Sequence, residues 1–281
     1  MPRYLPGMRT FSGKVVAITG AASGIGRALA VEVSRRGALV ALADLDEAGL
    51  EQTRFLARAA GSGEVLTTSL DVADRDAVHA WAAEVAGHFG RVNAIVNNAG
   101  VSLTGDLSDL TEADMEWIMG INFWGVVHGT RAFLPRLIAS GDGHVVNVSS
   151  LFGLVSMPSQ SLYNASKYAV RGMSEALREE MLVAGHPVQV SVVHPGGIKT
   201  GIARNGRFSA RLDGPATARR FDTRLARTTP EDAAQVIAKG VLAHRARILV
   251  GADARVVHAL GTLLGARYQD VAAAVSKRSG F

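Results

Sequence analysis

The sequence predicts a single-domain, doubly wound α/β fold: a seven-stranded parallel sheet with helices on both faces. Three observations carry that prediction. Short β-branched runs alternate with longer helical patterns, the intervals between runs are long enough for the crossovers that parallel strands need, and a glycine-rich turn joins the first run to the first helix. At 281 residues and 48% hydrophobic content, the chain has material for one large core.

The strands are expected at Val15 to Thr19, Leu39 to Ala43, Val65 to Leu70, Val92 to Val96, His144 to Val148, Val188 to Val193 and Ile248 to Val250. Helical patterns run from Arg27, from Ala113 to Leu137, and from Tyr163 through Leu182. The helix before the last strand has a clear start, with Thr229 as N-cap, Pro230 next, and Glu231 and Asp232 in the first turn. Three segments fall outside this frame: an N-terminal extension (1–12), a long irregular stretch (201–228) read as a substrate loop or lid, and a C-terminal helical extension (252–281). The last is amphipathic in part between Arg255 and Val275, which suits capping the site, joining a neighbouring subunit or lying free. No repeat or low-complexity linker divides the chain.

The absence of cysteine excludes disulfides, thiolate metal sites and cysteine nucleophiles, and it fits a reducing, cytoplasmic setting. The first twelve residues lack a leader's apolar core, and no window approaches the roughly 20 apolar residues of a membrane span, so no membrane insertion is expected. A mean hydropathy of +0.17 is what a sheet covered on both faces produces. The eight histidines show no paired-ligand spacing, so no metal is expected. Net charge is +5, concentrated in seven arginines between Arg204 and Arg227 that face only Asp213 and Asp222. That cluster reads as a solvated, mobile segment or as a contact for an anionic substrate group. Nucleic-acid binding would need stacking aromatics, and only Phe208 and Phe221 lie near, so no nucleic-acid partner is expected.

In the turn Thr19-Gly20-Ala21-Ala22-Ser23-Gly24-Ile25-Gly26, glycine permits a tight turn and a close approach of backbone to a pyrophosphate, whose charge the N–H groups at the helix start can bind. Its order, Gly-x-x-x-Gly-x-Gly, departs from the usual Gly-x-Gly-x-x-Gly. The second strand ends at Asp44, 18 residues after Gly26, where an acid binds the adenosine ribose hydroxyls. A carboxylate there repels a 2′-phosphate, and neither Leu45 nor Ser23 is basic, so NAD is favoured over NADP. Arg27 is the nearest cation that could offset this, with a solvent-facing place in the first helical turn as the alternative.

Tyr163 and Lys167 stand at i and i+4 and share one helix face. A free tyrosine is too weak an acid to act as a base at neutral pH, and an adjacent ammonium with a positive nicotinamide ring favours its phenolate. Ser150 follows the strand His144 to Ser149 at the carboxyl edge, where ligands of parallel sheets bind. Ser149 competes for that role, and one step along a strand points it to the other face. Leu151, Phe152, Leu154, Val155 and Met157 offer an apolar pocket floor, which suggests a hydrophobic substrate. His194 reads as a strand-end residue near the cofactor, Trp117 and Trp124 as core or subunit-interface residues.

Taken in order, the Thr19 to Gly26 turn, Asp71-Val72, Asn97-Asn98-Ala99-Gly100, Asn122, Ser149-Ser150, Tyr163-x-x-x-Lys167 and Pro195-Gly196-x-x-x-Thr200 resemble the motif set of short-chain dehydrogenase/reductases, over residues 13 to 251. The resemblance implies a Rossmann-type fold and catalysis by Ser150, Tyr163, Lys167 and Asn122, the last holding a water that links Lys167 to solvent. It implies a cofactor site made of Gly20, Ser23, Gly24, Ile25, Gly26, Asp44, Asp71, Val72, Asn98, Ala99, Gly100, Tyr163, Lys167, Pro195, Gly196, Ile198 and Thr200. Within it Asp71 and Val72 would contact adenine, and Ile198 and Thr200 the nicotinamide carboxamide. The expected activity is NAD-dependent interconversion of a small-molecule secondary alcohol and its ketone, in a homodimer or homotetramer built on the helices of Asn122 and Tyr163. A 3-oxoacyl thioester reductase and a non-catalytic NAD-binding regulatory protein are the alternatives.

Overall fold

The computed structural model describes residues 7–279. The chain runs β1 (Val15–Thr19), α1 (Gly24–Arg35), β2 (Leu39–Asp44), α2 (Glu47–Ala60), β3 (Val65–Ser69), α3 (Arg75–Phe89) and β4 (Ala94–Asn97). Next come a short β5 (Leu103–Thr104), α4 (Glu112–Met119), α5 (Gly125–Ser140), β6 (Gly143–Val148), α6 (Ser161–Ala184) and β7 (Val188–Pro195). The last part holds a short β8 (Arg207–Phe208), α7 (Gly214–Arg224), α8 (Pro230–Leu242), β9 (Arg247–Val250), α9 (Ala252–Leu264) and α10 (Tyr268–Ser279).

All seven expected strands are present, and they form one parallel sheet in the order β3-β2-β1-β4-β6-β7-β9. The strands are almost uninterrupted apolar runs because both faces are covered. On one face Ile18, Leu42 and Val193 pack against α1, α2 and α8; on the other Ile95, Val145 and Val190 pack against α3, α5 and α6, with Trp81 edge-on to Phe133. The order reverses between β1 and β4, so the carboxyl ends of these strands splay around a crevice, the position where such sheets bind ligands. No helix among the described residues is long and apolar enough to cross a membrane.

Two expectations need correction. The helical run around Asn122 is continuous but not uniform: residues Gly120–Trp124 form a wide, π-type turn between α4 and α5. An extra residue in a helical turn re-aims its side chains, and such turns are frequent at functional sites. The stretch 201–228 is irregular only in part. It contains α7, started by Asp213, whose carboxylate accepts from Ala216 N (2.9 Å), with proline in the first turn. Its β8 pairs in parallel with β5, Ser102 Oγ donates to the Ile202 carbonyl (2.8 Å), and Thr228 pairs with Ile198 at the far end.

Candidate active site

The phosphate cradle comes directly from the glycine turn. A Cβ on Gly26 would lie 2.1 Å from the Gly20 carbonyl oxygen, and Gly20 itself has φ +64°, so α1 can start this close to β1 only with glycine at both places. Helices α2, α3, α4, α7 and α8 are each capped by an Asp or Thr side chain, whereas Ser23 makes no such cap on α1 and no acid occupies its first turn. Its N–H groups and dipole are therefore available to an anion, which fits a pyrophosphate.

Around this turn the structure brings together residues far apart in sequence. Asp44 Oδ2 accepts from Ala22 N (2.9 Å) and Oδ1 from Asp46 N (3.2 Å), bracing the turn while keeping its carboxylate at the end of β2. Asn98 Nδ2 donates to the carbonyls of Thr19 and Gly20, both at 3.0 Å, and Thr19 Oγ1 accepts from the backbone of Asn98 (3.0 Å) and Ala99 (3.1 Å). Val72 is buried, and Asp71 is exposed with its carboxylate accepting from Ala73 N. Arg27 is half-buried, not solvent-facing. Its guanidinium donates to the Ala22 carbonyl and to Thr53 Oγ1 (3.1 Å), so the cation beside the turn is already committed to the protein.

The chemical end lies where β4, β6 and α6 meet. Tyr163 and Lys167 are buried on one face of α6, with the ammonium 5.8 Å from the phenol ring centre. Lys167 Nζ donates to the Val148 carbonyl (3.2 Å) at the end of β6. Ser150 lies beside Tyr163, near enough to favour the charged form of its phenol, and its Oγ accepts from Phe152 N (3.1 Å) as the cap of the turn Leu151–Gly153. Strand alternation decides between the two serines: Ser149 Oγ turns away to donate to the Lys167 carbonyl (2.8 Å), securing α6 to β6. Asn122, fully buried in the π-type turn, accepts from Val101 N (2.8 Å) and donates to the Val101 carbonyl (2.9 Å) and to Ser166 Oγ (3.2 Å). A side chain at Gly100 would meet both Asn122 Oδ1 (3.1 Å) and Lys167 Nζ (3.2 Å), which explains the glycine.

Burial sets the proton affinities. It lowers the Lys167 ammonium to about 8 and pushes the Tyr163 phenol up, with Ser150 acting in the opposite direction. The protein alone thus holds Tyr163 as a neutral phenol.

Pro195 ends β7, and just beyond it Gly197 N donates to Asp253 Oδ2 (2.7 Å) in the first turn of α9. Asp253 was not legible as a site residue, because its use depends on where the C-terminal helices return. From this loop the buried Ile198 packs into the core, and the methyl group of the half-buried Thr200 lies 3.1 Å from where a Cβ on Gly24 would sit. The apolar floor is smaller than expected. Phe152 stays beside Tyr163, edge-on at 6.2 Å, but Leu151 and Val155 are buried against Ala254, Val257 and Tyr268 of the C-terminal helices. A groove of about 660 Å³, lined by Met157, Asn164, Tyr168 and Tyr268, lies beside the Ser150–Tyr163 pair and does not include it.

A parallel sheet with an anion cradle at its switch point, and a serine, tyrosine and lysine converging beside it, defines a dinucleotide-dependent oxidoreductase. Comparison with known proteins agrees. Residues 14–209 match the short chain dehydrogenase family model, and the chain belongs to that family. It is 53% identical over 271 residues, 96% of its length and 98% of the relative's, to a Mycobacterium tuberculosis protein named oxidoreductase SadH. It is 39% identical over 200 residues to an 11-beta-hydroxysteroid dehydrogenase of Arabidopsis thaliana, covering 70% of this chain and 56% of that one. Among solved structures, a short chain dehydrogenase/reductase from Burkholderia phymatum in complex with NAD superposes with a TM-score of 0.85 at 33% identity, over 93% of this chain and 97% of that one. Levodione reductase superposes with a TM-score of 0.77 at 29% identity, over 88% and 98%.

Proposed function

We propose that the protein is an NAD-dependent dehydrogenase/reductase that interconverts a hydrophobic secondary alcohol and its ketone. The observation that carries this reading is the burial of Tyr163 and Lys167 together on one face of α6, with Ser150 beside the phenol. Binding alone would not require a phenol and an ammonium to be buried together.

NAD, when bound, supplies the hydride acceptor for the carbinol carbon and, once reduced, the donor for the carbonyl carbon. Ser150 holds the substrate oxygen. Tyr163 takes the hydroxyl proton in oxidation and returns it to the carbonyl oxygen in reduction. Burial works against the phenolate, so the positive charge of the oxidised cofactor and the Lys167 ammonium together must bring Tyr163 to a usable proton affinity. Asn122 fixes the loop at Val101 and the helix at Ser166, which supports a role in aligning Lys167 and a water beside it.

The preference for NAD rests on Asp44 and on Arg27, whose guanidinium is held by Ala22 and Thr53 and is not free to meet a 2′-phosphate. Phe152 beside Tyr163 favours an apolar substrate. The thioester-reductase reading gains little from the arginines: Arg204 pairs with Asp222, Arg207 with Asp114 (3.2 Å) and Arg211 with Asp109 (3.3 Å). Trp124, 51% exposed at the start of α5 and stacked on His128, suits a homo-oligomer built on that helix.

The test is a fluorescence titration with NADH and NADPH, followed by a screen of hydrophobic secondary alcohols read at the reduced-nicotinamide absorbance. NADH binding at least about tenfold tighter, one hydrogen bond's worth, with turnover of one or more alcohols, is the expected result. Tighter NADPH binding would overturn the assignment of Asp44, and NADH binding without turnover would favour a regulatory protein.

A further inference from the structure

His194 has no part in the chemistry above, yet it is fully buried at the end of β7, a place where an apolar residue would pack at lower cost. The β6–β7 ladder runs in register as far as Val148 and Val193, and its last backbone bond joins Ser149 N to the Val193 carbonyl (2.8 Å). One residue further on, the chain leaves the sheet for the tight turn Leu151–Gly153. There the Ser150 carbonyl has no strand partner. It accepts from Gly153 N (2.9 Å) within the turn, and His194 Nδ1 lies 2.8 Å away. The contact to a carbonyl requires Nδ1 to carry the proton, so the ring donates where the ladder stops.

We infer that His194 is a positioning residue for catalysis: by donating from Nδ1 to the Ser150 carbonyl it fixes the backbone of the residue whose hydroxyl meets Tyr163 and the substrate oxygen. With Gly153 N it fills both lone pairs of that carbonyl, while Phe152 N holds Oγ. Ser150 is thereby held at both ends, and its hydroxyl proton is left to point at Tyr163 and the substrate.

The other ring nitrogen supports this assignment. Nε2 is buried and has no hydrogen-bond partner among the described residues, so the Nδ1 contact is the polar contact that the ring makes there. Burial also lowers the ring to about 4, so it stays neutral through the physiological range and the donating tautomer does not change with pH.

This inference rests on Ser150 having the role proposed above, so the experiment separates the two. In full-length protein with ¹⁵N-labelled histidine, His194 is expected to give a slowly exchanging Nδ1–H signal at pH 7; an Nε2–H tautomer overturns the inference whether or not a substrate is known. Kinetics then use NADH with a panel of hydrophobic ketones. His194→Leu, which fills the space without a donor, is expected to lower kcat about tenfold, the scale of one lost hydrogen bond, with NADH affinity and ketone KM within about twofold. His194→Asn, which keeps an N–H near the Nδ1 position, should recover to within about threefold of the parent, while His194→Gln, which moves the donor, should resemble the leucine variant. In a Ser150→Ala background the leucine substitution should add nothing further. An equal additional loss there, or weaker NADH binding that matches the fall in kcat, would make His194 a general structural residue and sink the proposal. If the parent reduces no ketone, it is the reading of Ser150 that fails, and the tautomer signal still decides whether His194 donates to its carbonyl.

Discussion

The cofactor side of the crevice and its substrate side are built by different physics. From β1 to β7 the site is assembled from buried and half-buried side chains that bond to backbone (Asn98 to the glycine turn, Asn122 to Val101, Ser149 to α6) and to one another (Asn97 to the side chains of Asn147, 2.8 Å, and Thr130, 3.1 Å). In the stretch 201–279, α8 and β9 join the core, but residues 201–228 and the helices after β9 are tied by short ladders, exposed ion pairs, the Asp253 carboxylate and one tyrosine hydroxyl, and those last helices leave Leu260, Leu263, Val271 and Val275 about half or more exposed. Buried polar bonds tolerate little substitution because each unpaired group costs about 1–3 kcal/mol, whereas an exposed ion pair is worth under about 1 kcal/mol. On the proposed reading the first region fixes the chemistry, and the second is where a new substrate can be accommodated at low cost in stability.

The largest expected effect is on the chemical side. Tyr163→Phe removes the hydroxyl proposed to exchange a proton with the substrate and should lower kcat about a thousandfold, within the range for a lost general acid or base. NADH affinity and Tm should stay near the parent values, because the ring still packs on Leu103, Ile118 and Phe152. A comparable loss of cofactor binding would show that the phenol organises the cleft and would erase the division drawn above.

Asp44→Ala comes next. It removes a ribose acceptor and the bond to Ala22 N, so NADH affinity should fall about tenfold while NADPH affinity falls less, and urea denaturation should show a loss of about 1 kcal/mol. Adding Leu45→Arg should then bring the two affinities together, since Leu45 is exposed beside the carboxylate. An unchanged NADH-to-NADPH ratio in both variants would move the discriminating group elsewhere.

The same division explains what could be read from the sequence. All seven strands were legible because burial on both faces writes β-branched runs, and Tyr163, Lys167 and Asp44 were legible because helical spacing and strand ends place them without tertiary detail. Asp253 and His194 were not, since each acts across the fold on a loop of distant sequence, Asp253 on Gly197 and His194 on Ser150. The stretch 201–228 misled for a related reason. Its arginines are mostly exposed, as their charge suggests, but nothing in the sequence shows that Arg207 lies 4.1 Å over the Trp117 ring and pairs with Asp114 on α4, a partner 93 residues away. The wide turn at Gly120–Trp124 likewise leaves no mark in the apolar spacing on either side.

On the substrate side the effects should be smaller and of a different kind. Tyr268→Phe removes the hydroxyl that accepts from Ser156 N (3.0 Å) and thereby ties α10 to the segment after Ser150. Arg207→Ala removes the cover of Trp117. Each should change the ketone KM about threefold, with kcat nearly unchanged and a stability loss of about 1 kcal/mol or less, as expected for one neutral hydrogen bond or one exposed cation. Steady-state kinetics on the ketone panel read this directly. A tenfold or greater fall in kcat would place these residues with the chemistry instead.

The smallest effect is on acid stability. His144 is fully buried with Nε2 2.8 Å from Ser191 Oγ, and burial, with His244 close by, lowers it to about 3; His194 is lowered to about 4. Both folded values lie below the usual 6.5, so the unfolded chain takes up protons that the folded chain refuses. The stability these rings contribute is complete above pH 6.5 and declines as pH falls toward 4 and 3. By pH 5.5 the loss should reach about 1 kcal/mol per ring, a fall in Tm of about 2–4 °C each. His144→Asn should flatten the Tm-against-pH curve over this range, whereas His258→Asn on α9, where exposure limits the shift, should barely alter it. If the tail variant flattened the curve as much as the core variant, acid sensitivity would belong to the C-terminal helices, and the buried polar network would not be the part of the molecule that burial makes intolerant of charge.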